Sequence, residues 1–200
     1  MTPQQIMIVD AFNSQTYIQD KMDIQNTPVY DTVTVAQAGS LSILSSSLFT
    51  NVGPASGKTL ALTNMSQQRK LAAPEAFSVL GFRNRIVENI LLADMLTILN
   101  GFCYEFFLGQ KYYQRAPLWV LSAGGGIWGM FTNTTTSVLT NGLPSRESMH
   151  KLAIPVVIEN QMEFYAQLNG TTVTLTATAA GGVGFTLVSV LDGLYARGVQ

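Results

Sequence analysis

The sequence predicts an all-β fold, an antiparallel sandwich of about eight strands, and three features near its C-terminal end carry that expectation. Met162, Phe164, Ala166 and Leu168 alternate with Glu163, Tyr165 and Gln167, the two-residue period of a strand with one buried face. Residues 172–179 alternate Thr with Val, Leu and Ala in the same way. Residues 183–191 are almost wholly apolar, as a central strand covered on both faces is.

The elements follow in order. Residues 1–57 read as an arm and residues 58–200 as the sandwich. Thr2-Pro3-Gln4-Gln5 has the form of a capping box with proline at the first helical position, so a short helix to about Phe12 is expected. Beyond it no period is sustained, and residues 36–47 are rich in Ser, Ala and Gly. A flexible tail is one reading. Ile6, Ile8, Phe12, Tyr17, Ile18 and Ile24 favour the other, an extended arm that orders at an interface between subunits, because disordered tails are poor in such residues.

From Lys58 onward short strands are expected. Residues 59–65 form the first, with Leu60 and Leu62 on one face, and residues 76–82 the second. Residues 86–99 fit a helix, one helical excursion from the β pattern. Val87, Ile90, Leu91, Met95 and Ile98 line one side, and Asn100-Gly101 is the stop. Residues 102–108 and 112–115 make a hairpin around Gly109-Gln110. Residues 118–121 continue as a strand after Pro117, and glycine and asparagine clusters from 124 to 142 mark a long loop region. Residues 151–158 form a strand that Pro155 confines to an edge or a bulge. Asn169-Gly170 is expected to join two strands as a hairpin, and Ala180-Gly181-Gly182 to turn the chain into its last strand. Eight such strands suit a jelly roll or another Greek-key sandwich.

Two hundred residues fit one domain with an arm and leave no room for two full sandwiches. Charged residues make up 12% of the chain, about half the usual share, and a surface so poor in charge is one that partners cover. The net charge is −1 and the basic residues are scattered, which gives no stripe for nucleic acid. One cysteine excludes an intrachain disulfide. Residues 1–20 hold no Lys or Arg and no long apolar run, so no secretion signal is expected. Residues 90–99 are too short to span a bilayer and contain Asp94.

Few motifs point to chemistry. Residues 53–59, GPASGKT, have three residues between the glycines where a phosphate-binding loop needs four, and a strand rather than a helix is expected to follow. Cys103 and His150 are the sole residues of their types, and Cys103 lies in an apolar strand, so neither a nucleophile pair nor a zinc site is expected. No pair of carboxylates has a spacing that proposes acid–base work. Asn64, Asn133 and Asn169 match the glycosylation pattern and are expected as turn residues. Gly124-Gly125-Gly126 reads as a close backbone approach near a subunit contact, with an anion-binding nest as the other reading. No catalytic residue, cofactor or metal is expected, and the protein is not expected to be an enzyme.

Two stretches carry a family resemblance: residues 106–129, FFLGQKYYQRAPLWVLSAGGGIWG, and residues 187–200, LVSVLDGLYARGVQ, preceded by KLAIPVVI and MEFYAQL. They resemble the jelly-roll capsid (coat) proteins of tailless icosahedral bacteriophages, especially those that contain a membrane. The resemblance implies a single jelly roll that self-assembles into capsomers of an icosahedral shell. It implies a virion protein assembled in the host cytoplasm. Its partners would be copies of itself, other capsid proteins and an internal lipid membrane. Many major coat proteins of that group carry two fused jelly rolls, and this chain has room for one. The expected arm holds one basic residue before Lys58, Lys21, so no direct nucleic-acid binding is expected. The alternative is a receptor-binding or carbohydrate-binding sandwich, with Tyr112, Tyr113, Trp119 and Trp128 lining a shallow site.

Overall fold

The computed structural model describes residues 8–9, 16–17, 22–37, 40–41, 47–87, 92–122, 128–132, 137–140, 150–174 and 183–198. They are mostly β, in antiparallel sheets with one α-helix, consistent with an all-β sandwich. The main strands are β1 (Met22–Gln25), β2 (Val29–Gln37), β3 (Ser47–Leu48), β4 (Ala76–Val87), β5 (Phe102–Leu108), β6 (Lys111–Pro117), β7 (His150–Ile158), β8 (Phe164–Gly170) and β9 (Val183–Gly198). Helix α1 spans Leu92–Gly101. A five-stranded sheet runs β7-β4-β9, with β1 and β2 both paired to the far side of β9. A four-stranded sheet runs β3-β8-β5-β6.

The two sheets meet across one apolar core. Phe77, Val79, Phe82, Ile86, Leu187 and Leu191 come from the larger sheet. Phe102, Tyr104, Phe106, Phe164, Ala166 and Leu168 come from the smaller. The Phe82 ring lies 6.1 Å from Tyr104 and 5.3 Å from Phe106, edge-on and tilted geometries that aromatic quadrupoles favour. The inward residues of β4 change parity along the strand, odd at Phe77 and Val79 and even at Phe82 and Ile86. A bulge makes this work: Gly81 pairs with Asp192 and Val79 with Gly193, leaving Leu80 unpaired on β9's side and 36% exposed. A side chain at Gly193 would place its Cβ 1.9 Å from the Ser78 carbonyl oxygen, so the bulge requires glycine there.

Several expectations hold. β9 lies between β4 and β1/β2, the central position that its nearly all-apolar run at residues 183–191 implies. β5 and β6 form the hairpin, with Gly109 at φ 61° in the turn. β7 pairs only with β4 among the described residues, and its register slips between Lys151 and Val156, around Pro155.

Others are corrected. Residues 22–37 and 47–48, expected within the arm, are strands of the two main sheets, and Ile24 pairs with Ala196 of its own chain. Ile8–Val9 pairs with Thr16–Tyr17 where a short helix was expected. Residues 59–65 turn, with Leu62 N and Thr63 N both donating to the Thr59 carbonyl. Side chains replace a ladder there. Asn64 accepts from Tyr30 N at 2.9 Å and donates to Pro28 O at 2.7 Å, while Thr63 donates to Tyr30 O at 3.1 Å. Ile86 and Val87 belong to β4 because Leu187 and Thr186 of β9 pair with them. The helix starts later and buries Met95 and Ile98 as expected. Residues Leu118–Leu121 form a 3₁₀ turn that buries the residues at its two ends. Trp128–Thr132 pairs with Ser137–Thr140 inside the expected loop region.

Asn169 and Gly170 do not form a turn. They stay on β8, opposite Cys103 and Phe102. A Cβ on Gly170 would sit 2.3 Å from the Phe102 ring, so that glycine serves close packing. Val173–Thr174 then pairs with Ser40–Leu41. Residues 175–182, with the expected Ala180-Gly181-Gly182 turn, lie outside the described residues, as do Ile90, Leu91 and Gly124-Gly125-Gly126.

Candidate assembly interface

Each sheet leaves one edge on the same side of the sandwich, β7 from the larger and β6 from the smaller. Gln114 of β6 and His150 of β7 approach at 3.4 Å across this seam. A bulge in β6 shapes it: Phe106 pairs with Gln114 and Phe107 with Tyr112, which leaves Tyr113 as the extra residue. Tyr113, Leu108 and Met162 face Leu152, Ile154 and Pro155 around a cleft of about 410 Å³. Ile154 is 58% exposed and Tyr113 46%, so apolar side chains line the cleft and stay open to solvent at its rim.

Neither edge invites another strand. β7 carries Lys151, Pro155 and the register slip; β6 carries Lys111, Pro117 and its bulge. Lysine, proline and bulges are the devices that stop edge-to-edge strand pairing. The seam therefore offers side chains to a partner, not a free hydrogen-bonding ladder.

The opposite side is tied together by buried polar contacts. Asp31 of β2 is fully buried, and its carboxylate accepts from Lys58 Nζ and from Phe49 N, both at 2.7 Å. Phe49 adopts φ 64°, a left-handed conformation disfavoured for a large side chain, and this hydrogen bond holds it. Lys58 thus closes a buried ion pair rather than a phosphate loop, with Gly53 and Gly57 at positive φ around a short 3₁₀ turn. Beyond it, Leu60 projects from the 59–64 turn at 79% exposure and Leu62 at 39%. The Tyr30 hydroxyl donates to the Leu60 carbonyl, and Thr32 Oγ1 donates to the Leu62 carbonyl at 2.7 Å.

The outer face of the smaller sheet is a network of paired groups. Glu105 is buried beneath Arg115, at 2.7 Å, and Gln167, at 2.8 Å. Phe107 stacks on Tyr165 with 4.8 Å between centroids, and the Arg69 guanidinium lies 4.9 Å above the Tyr165 ring. Burial, then the neighbouring Glu105 charge, push the Cys103 thiol up. Cys103 lies on β5 and His150 on β7, in different sheets. Arg197 pairs with Asp23 at 2.9 Å, and Asp192 pairs with Arg83.

Ile6, Phe12 and Ile18 lie outside the described residues, Ile8 and Tyr17 belong to the short paired strands, and Ile24 to β1. The exposed apolar residues Ile154, Leu60 and Leu62 were hidden in the sequence by their resemblance to half-buried strand residues. Among the described residues no three His, Cys, Asp or Glu side chains gather as a metal site, and no helix is long and apolar enough to cross a membrane. No protein-family model, curated protein or solved structure matches this chain.

Proposed function

We propose that this chain is a structural subunit that assembles with copies of itself, and that its sandwich is a single jelly roll of the kind that tiles icosahedral capsids. The observation that carries the reading is the apolar cleft on the β6/β7 side, open to solvent between two edges guarded against strand addition. A charge fraction of 12% supports it, since a monomer with so few charges keeps itself soluble poorly. The two stretches that resemble phage coat proteins supply the more specific part: a virion protein, with other capsid proteins and an internal membrane as neighbours. In this reading the role is structural and not catalytic.

Light scattering coupled to size exclusion, with negative-stain microscopy over a range of protein and salt concentrations, tests it. Discrete oligomers or shells are expected. A chain that stays monomeric up to high micromolar concentration under every condition would overturn the proposal.

A second reading has one observation in its favour. Tyr112, Tyr113 and Trp119 are 58%, 46% and 56% exposed, and exposed aromatic rings stack on sugars. The Arg115 guanidinium lies 4.4 Å from the Tyr112 centroid and occupies one face of that ring. A glycan array without hits would remove this reading.

A further inference from the structure

We infer that the β6/β7 cleft receives the Leu60–Leu62 turn of a second copy of the chain. The inference rests on the self-assembly reading and names the contact that performs it.

The knob is an unusual surface feature. Leu60 is the most exposed large apolar residue among the described residues, at 79%, with Leu62 two residues on. The turn that displays them is tied down by backbone bonds to Thr59 and by the Tyr30 and Thr32 hydroxyls. A pre-ordered turn loses little conformational freedom on docking. The receptor is equally one-sided in chemistry. Among the described residues Glu159 is the single charged one lining the cleft, so a charged ligand finds little to pair with there, whereas two leucine side chains find Leu152, Ile154, Pro155 and Met162.

Topology then sets the kind of contact. The 59–64 turn covers the outer edge of β2, since Asn64 and Thr63 take up the Tyr30 backbone groups on that side. The cleft borders β7, the other edge of the same sheet. Three strand spacings, about 14 Å of sheet, separate the two edges. Knob and cleft are different patches on opposite sides, so a knob-in-cleft contact is heterologous and propagates from copy to copy. The blunted edges of β6 and β7 keep that contact to side chains. A single turn covers far less than the ~800 Å² per partner of a standard stable interface. Each contact is therefore weak alone and gains strength where several close a ring.

The test uses the full chain and two variants, Leu60→Glu and Ile154→Glu, in sedimentation velocity over a concentration series. Both positions are exposed, so the core is untouched, and circular dichroism verifies the fold. The wild type is expected to associate. Each variant alone should raise the dissociation constant about tenfold or more, the loss of one buried aliphatic side chain. An equimolar mixture should form dimers that do not grow, because each dimer joins one intact knob to one intact cleft. Wild-type assembly with both variants assembling equally well would refute this contact and leave self-assembly standing. Variants that fail singly and form no mixed dimer would place the two patches at separate contacts and refute the pairing. A wild type that stays monomeric would overturn both readings; an apolar dye bound by it and excluded by Ile154→Glu would then assign the cleft to a small apolar ligand.

Discussion

The Tyr104 hydroxyl meets Ser189 Oγ at 2.8 Å inside the core, a hydrogen bond that joins the two sheets, with Asn84 of β4 buried opposite Ser189. Both residues are buried, so each satisfies the other's polar group where water cannot. Tyr104→Phe and Ser189→Ala should each cost about 1–2 kcal/mol in denaturant unfolding, since each leaves a buried partner unsatisfied. The double variant should cost less than the sum of the two. Additive losses would show that the hydroxyls contribute independently.

The same tyrosine sets an alkaline limit. Burial pushes the Tyr104 phenol well above its ordinary value, and burial together with Glu75 does the same for Tyr195. An unfolded phenol ionises near pH 10. Below that pH both states hold the proton and the full contribution to stability is present. Above it the unfolded chain releases protons that the folded chain keeps, so stability falls as pH rises. Urea midpoints measured from pH 8 to 11 should stay level and then drop, with a shallower drop in Tyr104→Phe.

The Asp31–Lys58 pair predicts a large and asymmetric effect. Asp31 is fully buried and the Lys58 side chain only 17% exposed. Breaking a buried pair by removing one partner costs ~3–5 kcal/mol. Asp31→Ala should reach that range, because it also frees the Phe49 N–H and the left-handed backbone it holds. Asp31→Asn should cost less, since an amide oxygen still accepts from Phe49. Equal losses in thermal unfolding would remove the backbone part of this account.

Two glycines separate two reasons for being glycine. Gly193→Ala drives a Cβ into the Ser78 carbonyl and should open the β4 bulge, at ~1–3 kcal/mol or more. Gly109→Ala meets nothing within 4 Å, but its φ of +61° costs an L-residue ~1–2 kcal/mol. Hydrogen exchange should separate them: protection falls along β4 and β9 in the first and only at the hairpin tip in the second.

The guards on β7 make a further prediction. Lys151→Thr combined with Pro155→Val supplies a missing donor and removes a charge from an edge strand. The double variant should fold and then aggregate, read as rising light scattering with thioflavin binding, where the wild type gives discrete species.

How far the sequence was legible depended on whether each signal was local. β9 could be read because the nearly all-apolar run in its first nine residues needs no knowledge of its neighbours. The β5–β6 hairpin could be read because Gly109 supplies the turn by itself. β2 was missed because Asp31 interrupts its apolar face, and the lysine that neutralises it lies 27 residues further on. The 59–65 segment alternates like a strand, but Asn64 and Thr63 meet the backbone of Tyr30 with their side chains, a choice no period reveals. Asn169-Gly170 has turn chemistry, yet the ring of Phe102 is what demands the glycine. The candidate interface was harder still. Exposed and buried leucines look alike in a sequence, and the cleft exists only where β6 and β7, from different sheets, come side by side.

The central position of β9 has a consequence for how the protein is made. β9 fills the gap between β4 and β2, and both of those strands precede it in the chain. About a hundred residues separate Val87 from its partner Thr186. At roughly 5–20 residues per second of synthesis, the ribosome holds the larger sheet without its middle strand for some five seconds or more. During that interval β2 and β4 have no common partner, and a chain in that state depends on chaperones or on rapid collapse of its aromatic core. The larger sheet, with β7 and β2 at its edges, is complete only after residue 198 has left the exit tunnel.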